Sequence, residues 1–272
     1  MEATYQTGVP CWVDTLQPDL QGALDFYGHL FGWEFVGPGP MPGGGDGRYF
    51  VARFRGREVA GIGAQPPGGA GTPTWDTHIQ IASADATADK VKRAGGKIVV
   101  APFDVLPAGR MAVLADPMGA SFCAWEARKR KGAQLVDEPG TWSMSALTTG
   151  DLQSAEKFYG EVFGWKTSAA GQVTLWRLEG YFGGLPEQQM PRDTVAMMVP
   201  FTDDQARKGT PSRWGVTFWV HDVDSTADEA ARRHGKIVTP PFDLPSFPDF
   251  RQAVLADPAG AVFSVVAKHD RS

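Results

Sequence analysis

Three pairs of side chains in the first half of the chain place polar and aromatic groups two residues apart. They are Trp12 with Asp14, His78 with Gln80, and Cys123 with Trp125. Each pair lies in a segment predicted to be a strand, where side chains two apart share a face. A carboxylate and an imidazole suit general acid and base catalysis, and indole rings stack on flat organic ligands. These residues are therefore the candidates for binding or chemistry.

Composition argues against several other kinds of site. The chain has 272 residues, of which 42% are hydrophobic, and a net charge of −5. This balance does not favour a nucleic-acid partner, which needs a basic surface. The two cysteines, Cys11 and Cys123, cannot build a zinc cluster or a disulfide framework. No segment is apolar enough to span a bilayer and no export signal is recognisable, so we expect a cytoplasmic protein without a membrane partner.

One sequence pattern occurs twice. The motifs Asp-Leu-Gln, Phe-Tyr-Gly and Phe-Gly-Trp follow one another from Asp19 to Trp33 and again from Asp151 to Trp165. A repeat of this length matches the size of a domain and indicates a tandem duplication. Because a doubled chain already supplies all its modules, we expect a monomer.

The expected domains are residues 8–128 and 140–268, joined by a linker at 129–139. The basic run 128–131 at the start of this linker is interpreted as solvated.

Each domain divides again into two similar modules. Asp19 is a plausible N-cap for the first amphipathic helix, and Gly32 ends it. The second module repeats the order of strand, helix and three strands, with its helix at 85–94. The predicted unit is βαβββ, used four times, which makes the fold class α+β.

Paired βαβββ modules with Phe-Tyr and Phe-Gly-Trp after the first helix, and Asp-Pro-x-Gly-Ala before the last strand, carry a family resemblance. The chain resembles the vicinal oxygen chelate superfamily in its glyoxalase/bleomycin-resistance branch, over about residues 9–267. The resemblance implies two glyoxalase-like domains whose sheets curl into half-barrels. It also implies that the three pairs of the first domain face its concave side.

The resemblance also identifies where metal ligands would stand. First-strand ligand positions are occupied by Trp12, His78, Met144 and Thr217, and two closing-strand positions by Cys123 and Ser264. The other closing strands, near 61–64 and 183–185, offer no carboxylate. Only His78 is a conventional ligand, with Cys123 as a possible thiolate, whereas a tight site has three or four protein ligands. We therefore expect no metal and no other cofactor.

The resemblance places fewer polar and titratable side chains on the concave face of the second domain. Met144, Thr217 and Trp219 are candidate ligand contacts there, but this face has neither the acid nor the histidine of the first domain. We expect the first domain to hold the principal pocket, with Trp12, Gln80, Cys123 and Trp125 as ligand contacts.

Two kinds of function fit these residues. The first is metal-free binding of a planar aromatic molecule, such as an antibiotic or polyketide, in sequestration, self-resistance or biosynthesis; the ligand class comes from the resemblance. The second is a metal-independent isomerase, cyclase or hydroxylation partner in which Asp14 and His78 act as acid and base. A glyoxalase-type or dioxygenase-type metalloenzyme is a third, less favoured alternative.

Overall fold

The computed structural model describes residues 5–40, 48–66, 71–183 and 190–268. In the first domain the elements are β1 (Pro10–Gln17), α1 (Leu20–Phe31), β2 (Glu34–Pro40), β3 (Arg48–Phe54), β4 (Arg57–Ala64), β5 (Trp75–Gln80), α2 (Ala84–Arg93), β6 (Lys97–Val105), β7 (Gly109–Ala115) and β8 (Ser121–Ala127). In the second they are β9 (Trp142–Thr149), α3 (Leu152–Phe163), β10 (Lys166–Ala170), β11 (Val173–Arg177), β12 (Thr194–Pro200), α4 (Asp203–Arg207), β13 (Arg213–Trp219), α5 (Val223–Arg232), β14 (Lys236–Leu244), β15 (Phe247–Ala256) and β16 (Val262–Lys268). None of the helices in these ranges combines the length and apolar character that crossing a bilayer requires.

The two domains have the same sheet topology. The strand orders are β2-β3-β4-β1-β5-β8-β7-β6 and β10-β11-β12-β9-β13-β16-β15-β14. In each module the closing strand lies parallel to the first strand, and the two first strands of a domain pair antiparallel. The predicted α+β fold of two tandem domains is confirmed. The pairing of modules, which the sequence left open, takes place within each domain.

One expected strand was misplaced. The closing strand of the third module is β12, which begins at Thr194, whereas we expected it at residues 183–185. Of that expected segment, Leu185 lies outside the described residues. Between β12 and β13 the chain also forms the short helix α4, which the repeat did not predict. The sequence of β12 contains no carboxylate, so the inference drawn from this strand is unchanged.

The caps of α1 are those that the sequence predicts. The side chain of Asp19 accepts a hydrogen bond from the Gly22 N–H, and Gly32 ends the helix at a φ of 71°. Phe26 and Tyr27 on this helix are buried in a core that also includes Phe218 and Phe263 of the second domain. The helical side of the first sheet is therefore covered by the other domain, which leaves the opposite face of the sheet for ligands.

Two matching hydrogen-bond relays join the domains. The Tyr27 hydroxyl donates to Asp257 Oδ2 over 2.8 Å and accepts from Trp75 Nε1 over 2.9 Å. In the symmetric relay, Tyr159 donates to Asp116 and accepts from Trp214. Asp257 Oδ1 also accepts two backbone N–H groups of its own turn. The repeated tryptophans and aspartates thus hold turns and cores together.

The connection between the domains crosses the end of the first sheet as a strap, defined here as residues 128–136. Its backbone N–H groups donate to Ala108 on one side of the sheet, and to Cys11 and Glu58 on the other, with N···O distances of 2.7–3.1 Å. Gly132 has a φ of +126°, and a Cβ there would lie 2.5 Å from the Cys11 carbonyl oxygen. Only glycine lets the strap approach the strand so closely.

Candidate ligand-binding site

The concave face of the first sheet forms a cup that encloses about 310 Å³. Its floor and walls include Trp12, Asp14, Tyr49, His78, Met111 and Trp125, and each of these side chains is buried. The mouth is apolar, because Val36 and Leu106 line it and remain 47% and 60% exposed. A cavity of this size with flat aromatic walls suits a small organic molecule.

A chain of hydrogen bonds crosses the floor of the cup. Trp12 Nε1 donates to the Tyr49 hydroxyl over 3.0 Å, and that hydroxyl donates to Asp14 Oδ2 over 2.9 Å. Asp14 Oδ1 lies 2.9 Å from Nε2 of His78. Burial, assisted by the negative charge of Asp14, raises the pKa of Tyr49 well above its ordinary value, so the phenol keeps its proton.

This arrangement depends on a glycine in β4. A Cβ added to Gly61 would overlap the Tyr49 hydroxyl and would lie 3.0 Å from the Cβ of Asp14. The absence of a side chain lets Tyr49 reach from β3 across β4 to the carboxylate on β1. Glycine within a strand commonly marks such a close approach.

His78 is charged when it is paired with Asp14. Burial by itself lowers the pKa of the imidazole, but the adjacent carboxylate outweighs this effect and raises the pKa of His78 well above its ordinary value. The ring packs edge-on against Trp125 with 6.2 Å between centroids. Nδ1 is buried and has no hydrogen-bond partner. The neighbouring Cys123, directly across the β5–β8 pair, keeps its proton because burial raises the pKa of the thiol.

A second carboxyl group lies beside this pair. Asp76 faces Asp14 across the β1–β5 ladder and is two residues before His78, on the same side of the strand. Burial, followed by the charge of Asp14, raises the pKa of Asp76 to about 7. Two carboxyl groups and an imidazole therefore share this part of the sheet, and one of the carboxyl groups is half-protonated near neutral pH.

Arg130 reaches the cup from the strap. Its guanidinium carbon is 5.4 Å from the ring centroid of Trp12 and 6.0 Å from that of Tyr49. Its backbone carbonyl accepts a hydrogen bond from Trp125 Nε1 over 3.0 Å. The expectation that the whole basic run is solvated is therefore wrong for Arg130. Cation–π contacts and the Trp125 bond hold it against the aromatic walls.

The structure brings together some of the candidate residues and separates others. Trp12, Asp14, His78 and Trp125 line the cup. Cys123 is buried next to His78 but is not part of the cavity lining. Gln80 does not line the cavity either, and its amide donates to the Ile81 carbonyl.

Met144, Thr217 and Trp219 are on the concave face of the second domain. Met144 and Thr217 are neighbours across the β9–β13 pair, while Trp219 packs edge-on against Phe250 with 5.9 Å between centroids. They therefore contribute nothing to the cup of the first domain.

Sequence reasoning missed Tyr49, Asp76 and Arg130. Asp76 carried a usable signal, since it is two residues before His78 and so has the same strand parity. The pair of glycines at 61 and 63 in β4 indicated that something approaches the strand closely. Nothing in the basic run distinguished Arg130 from its solvated neighbours.

Comparison with known proteins supports the same fold. A family model for the Glyoxalase/Bleomycin resistance protein/Dioxygenase superfamily matches residues 12–124 and 143–265. These two segments coincide with the two sheets. The chain belongs to this superfamily.

Two relatives within the superfamily match nearly the whole chain. The putative glyoxylase CFP32 of Mycobacterium tuberculosis is 39% identical over 270 residues, which cover 96% of this chain and 95% of the relative. The anthracycline biosynthesis protein DnrV of Streptomyces peucetius is 31% identical over 276 residues, which cover 96% and 94% of the two chains.

Solved structures of the superfamily share the architecture at low sequence identity. The Mn(II)-bound glyoxalase from Novosphingobium aromaticivorans has a TM-score of 0.63 and 17% identity, and the match covers 97% of this chain and 83% of that one. The 2,3-dioxygenase LapB from Pseudomonas sp. KL28 also has a TM-score of 0.63, with 12% identity and coverage of 98% and 94%. This similarity supports the fold alone.

The cup does not fit the divalent metal that some superfamily members hold. Within the described ranges, no group of three or more His, Cys, Asp and Glu side chains is placed to bind a metal ion. His78 Nε2 is already engaged by Asp14, Cys123 keeps its proton, and the Tyr49 hydroxyl occupies the space beside Gly61 on the closing strand.

Proposed function

We propose that this protein binds a planar, largely hydrophobic aromatic molecule in the cup of its first domain, without a metal ion. Its role would be that of an accessory protein in the biosynthesis or sequestration of such a molecule, or in self-resistance to it. The observation that carries the proposal is the cup itself, with two indole walls, an apolar mouth and a volume in the range of small-molecule pockets. The name of the DnrV relative, an anthracycline biosynthesis protein, agrees with a polycyclic aromatic ligand.

The polar floor supports a binding role because its groups bond to one another. The Tyr49 hydroxyl accepts from Trp12 and donates to Asp14, and the other oxygen of Asp14 is held by His78. A floor whose hydrogen bonds are already made is rigid and needs little reorganisation when a ligand arrives. Pre-organisation of this kind favours affinity.

A metal-independent enzyme is the second candidate. The specific observation in its favour is the buried Asp14–His78 pair beside Asp76, whose pKa of about 7 suits proton transfer at neutral pH. In such an enzyme Asp14, which lines the cup, would take a proton from an enolisable carbon of the ligand, with Asp76 beside it as a second proton carrier, and charged His78 would return one to oxygen. Movement of His78 away from Asp14 would have to accompany this step.

Binding is tested by titrating the purified protein with 1,8-dihydroxyanthraquinone, followed by tryptophan fluorescence quenching and calorimetry. We expect saturable binding of one molecule per chain at micromolar concentration, weakened by changes in Trp12 but not in Trp219. Absence of binding by a folded protein would contradict the proposal. Chromatography and proton NMR in D2O of recovered probes that carry enolisable ketones separate the two candidates, because only the enzyme returns isomerised, cyclised or deuterium-exchanged material.

A further inference from the structure

A second cavity of about 250 Å³ lies against the cup, on the other side of the strap residue Arg130. It shares Glu58, Pro107, Ala108 and Arg130 with the lining of the cup. Its remaining walls come from the strap: Lys129, Lys131, Gly132 and Gln134. The two cavities are therefore adjacent chambers, and the Arg130–Glu58 pair is the boundary between them.

The second chamber carries an excess of positive charge. Lys129 and Lys131 are exposed, and neither forms an ion pair within the described residues. Glu58 is the one carboxylate in the lining, and it lies between Arg53 at 3.6 Å and Arg130 at 3.4 Å. The cations of Lys129, Arg130 and Lys131 thus surround one carboxylate. That carboxylate, Glu58, also pairs with a fourth cation, Arg53. The Coulomb energy of this arrangement favours an added anion.

Hydrogen-bond donors in the chamber also lack acceptors. Arg130 Nε is buried and lies 3.4 Å from Glu58 Oε2, an ion-pair contact that lacks the geometry of a hydrogen bond. Gln134 uses its side-chain oxygen to accept from the Glu58 N–H, so its amide N–H groups remain available. A guanidinium and an amide with free donors match a planar oxyanion such as a carboxylate.

The strap holds these groups in place. Lys129 N–H donates to the Pro107 carbonyl over 3.3 Å, Arg130 N–H to that of Ala108 over 3.1 Å, and Gln134 N–H to that of Glu58 over 2.7 Å. Backbone anchors on both sides of the chamber fix the positions from which the basic side chains extend. A solvated linker would have no such anchors.

We propose that this chamber binds an acidic substituent of the ligand, so that the natural ligand is an aromatic ring system bearing a carboxylate. The inference rests on the proposed function, since the ring system occupies the cup while the carboxylate reaches past Arg130. Arg130 is then the residue that contacts both parts of the ligand and selects for the acid.

The test compares two probes of nearly equal shape, anthraquinone-2-carboxylate and anthraquinone-2-carboxamide, at pH 7.5. We expect the wild-type protein to bind the carboxylate at least fivefold more tightly and to lose this preference as salt is raised. The double variant Lys129→Gln/Lys131→Gln should lose most of the preference while its affinity for the carboxamide changes less than twofold. The matched control Lys97→Gln/Lys236→Gln removes the same charge from exposed positions elsewhere and should keep the preference.

Equal affinity of the wild-type protein for the two probes would contradict the proposal that the chamber binds an acidic substituent. A preference for the carboxylate that survives in the lysine double variant would contradict it too. Either result leaves the cup as an aromatic site. If neither probe binds to the folded protein, the proposed function itself fails, and the chamber fails with it. An Arg130→Gln variant should lose the preference as well, because Arg130 stands between the cup and the chamber.

Discussion

The concave faces of the two sheets, called here the first and the second cup, have the same strand order but different floors. By strand register, Gly61 in the first corresponds to Met197 in the second, because each is aligned with the central residue of the first strand, Asp14 or Ala146. The first cup is open at this point and admits Tyr49, whereas a methionine occupies the corresponding place in the second. The two closing strands thus differ at the residue that stands beside the floor of each half-barrel.

The polar groups differ at the matching positions as well. Ala146 stands in place of Asp14, Gly215 in place of Asp76, and Thr217 in place of His78. The β10–β11 turn also bonds to the opposite side of the second cup, since Gln172 N–H donates to Ser246 Oγ over 2.9 Å. The duplicated module has therefore kept its scaffold in both copies and its charged floor in one.

The largest expected effect comes from giving the first cup the residue that the second cup has at this position, methionine in place of Gly61. Gly61→Met should abolish binding of 1,8-dihydroxyanthraquinone, with a loss of more than about 100-fold, because the side chain displaces Tyr49 and fills the cup. Overpacking should also lower the free energy of unfolding by about 1–3 kcal/mol. Titration and urea unfolding measure the two effects.

The matched control is Met197→Gly, which empties the second floor and should leave probe binding in the first cup unchanged. Retention of full affinity by a folded Gly61→Met variant would show that the ligand does not enter the first cup.

A smaller loss is expected from the aromatic walls. Trp12→Ala and Trp125→Ala should each weaken binding about tenfold, since a ring contact contributes about 0.5–1.5 kcal/mol beyond its buried area. The equivalent test in the second cup is Trp219→Ala, which should change affinity less than twofold. Trp125→Phe keeps a ring but loses the bond to the Arg130 carbonyl, so it separates stacking from anchoring of the strap.

The reverse pattern in this titration, with loss confined to Trp219→Ala, would move the ligand to the second domain. The second cup, and not the first, would then be the binding site.

The sequence predicts the scaffold better than the floor, and the reason lies in the range of the interactions. The caps of α1 and the repeat are local patterns, so Asp19 and Gly32 could be assigned without a structure. Strand parity placed Asp14 and His78 on the same face. The approach of Tyr49 to Asp14 depends on the strand order β3-β4-β1, which only the folded sheet reveals. Arg130 depends on the path of the strap, which composition does not encode.

The Asp14–His78 pair provides a pH-dependent test of the charged floor. Because the folded-state pKa of His78 lies above its unfolded value, the pair stabilises the fold fully below about pH 6.5 and loses this effect as pH rises through the folded-state pKa. His78→Thr, which copies the second cup, should cost about 3 kcal/mol in urea unfolding at pH 6 and less at pH 9.5. The exposed control His221→Gln should show no such trend.

The double variant Asp14→Ala/His78→Thr should cost less than the sum of the single changes, because no unpaired charge is left buried. A cost for His78→Thr that is the same at both pH values would contradict a charged pair.

The smallest effect concerns Asp76, which the second cup replaces with glycine. Its folded-state pKa of about 7 lies above the ordinary value of a carboxyl group, so the folded protein holds this proton more tightly than the unfolded chain does. Stability is therefore lost as pH rises from about 4 towards 7, which is the opposite sign to a salt-bridged aspartate. Asp76→Asn should leave the free energy of unfolding nearly unchanged at pH 5 and raise it by about 2–3 kcal/mol at pH 8.5. The control Asp89→Asn, on the exposed side of α2, should alter neither value. If Asp76→Asn is instead less stable at pH 8.5, Asp76 is ionised and held by a partner. The charge beside the Asp14–His78 pair would then be more negative than a pKa of about 7 for Asp76 implies.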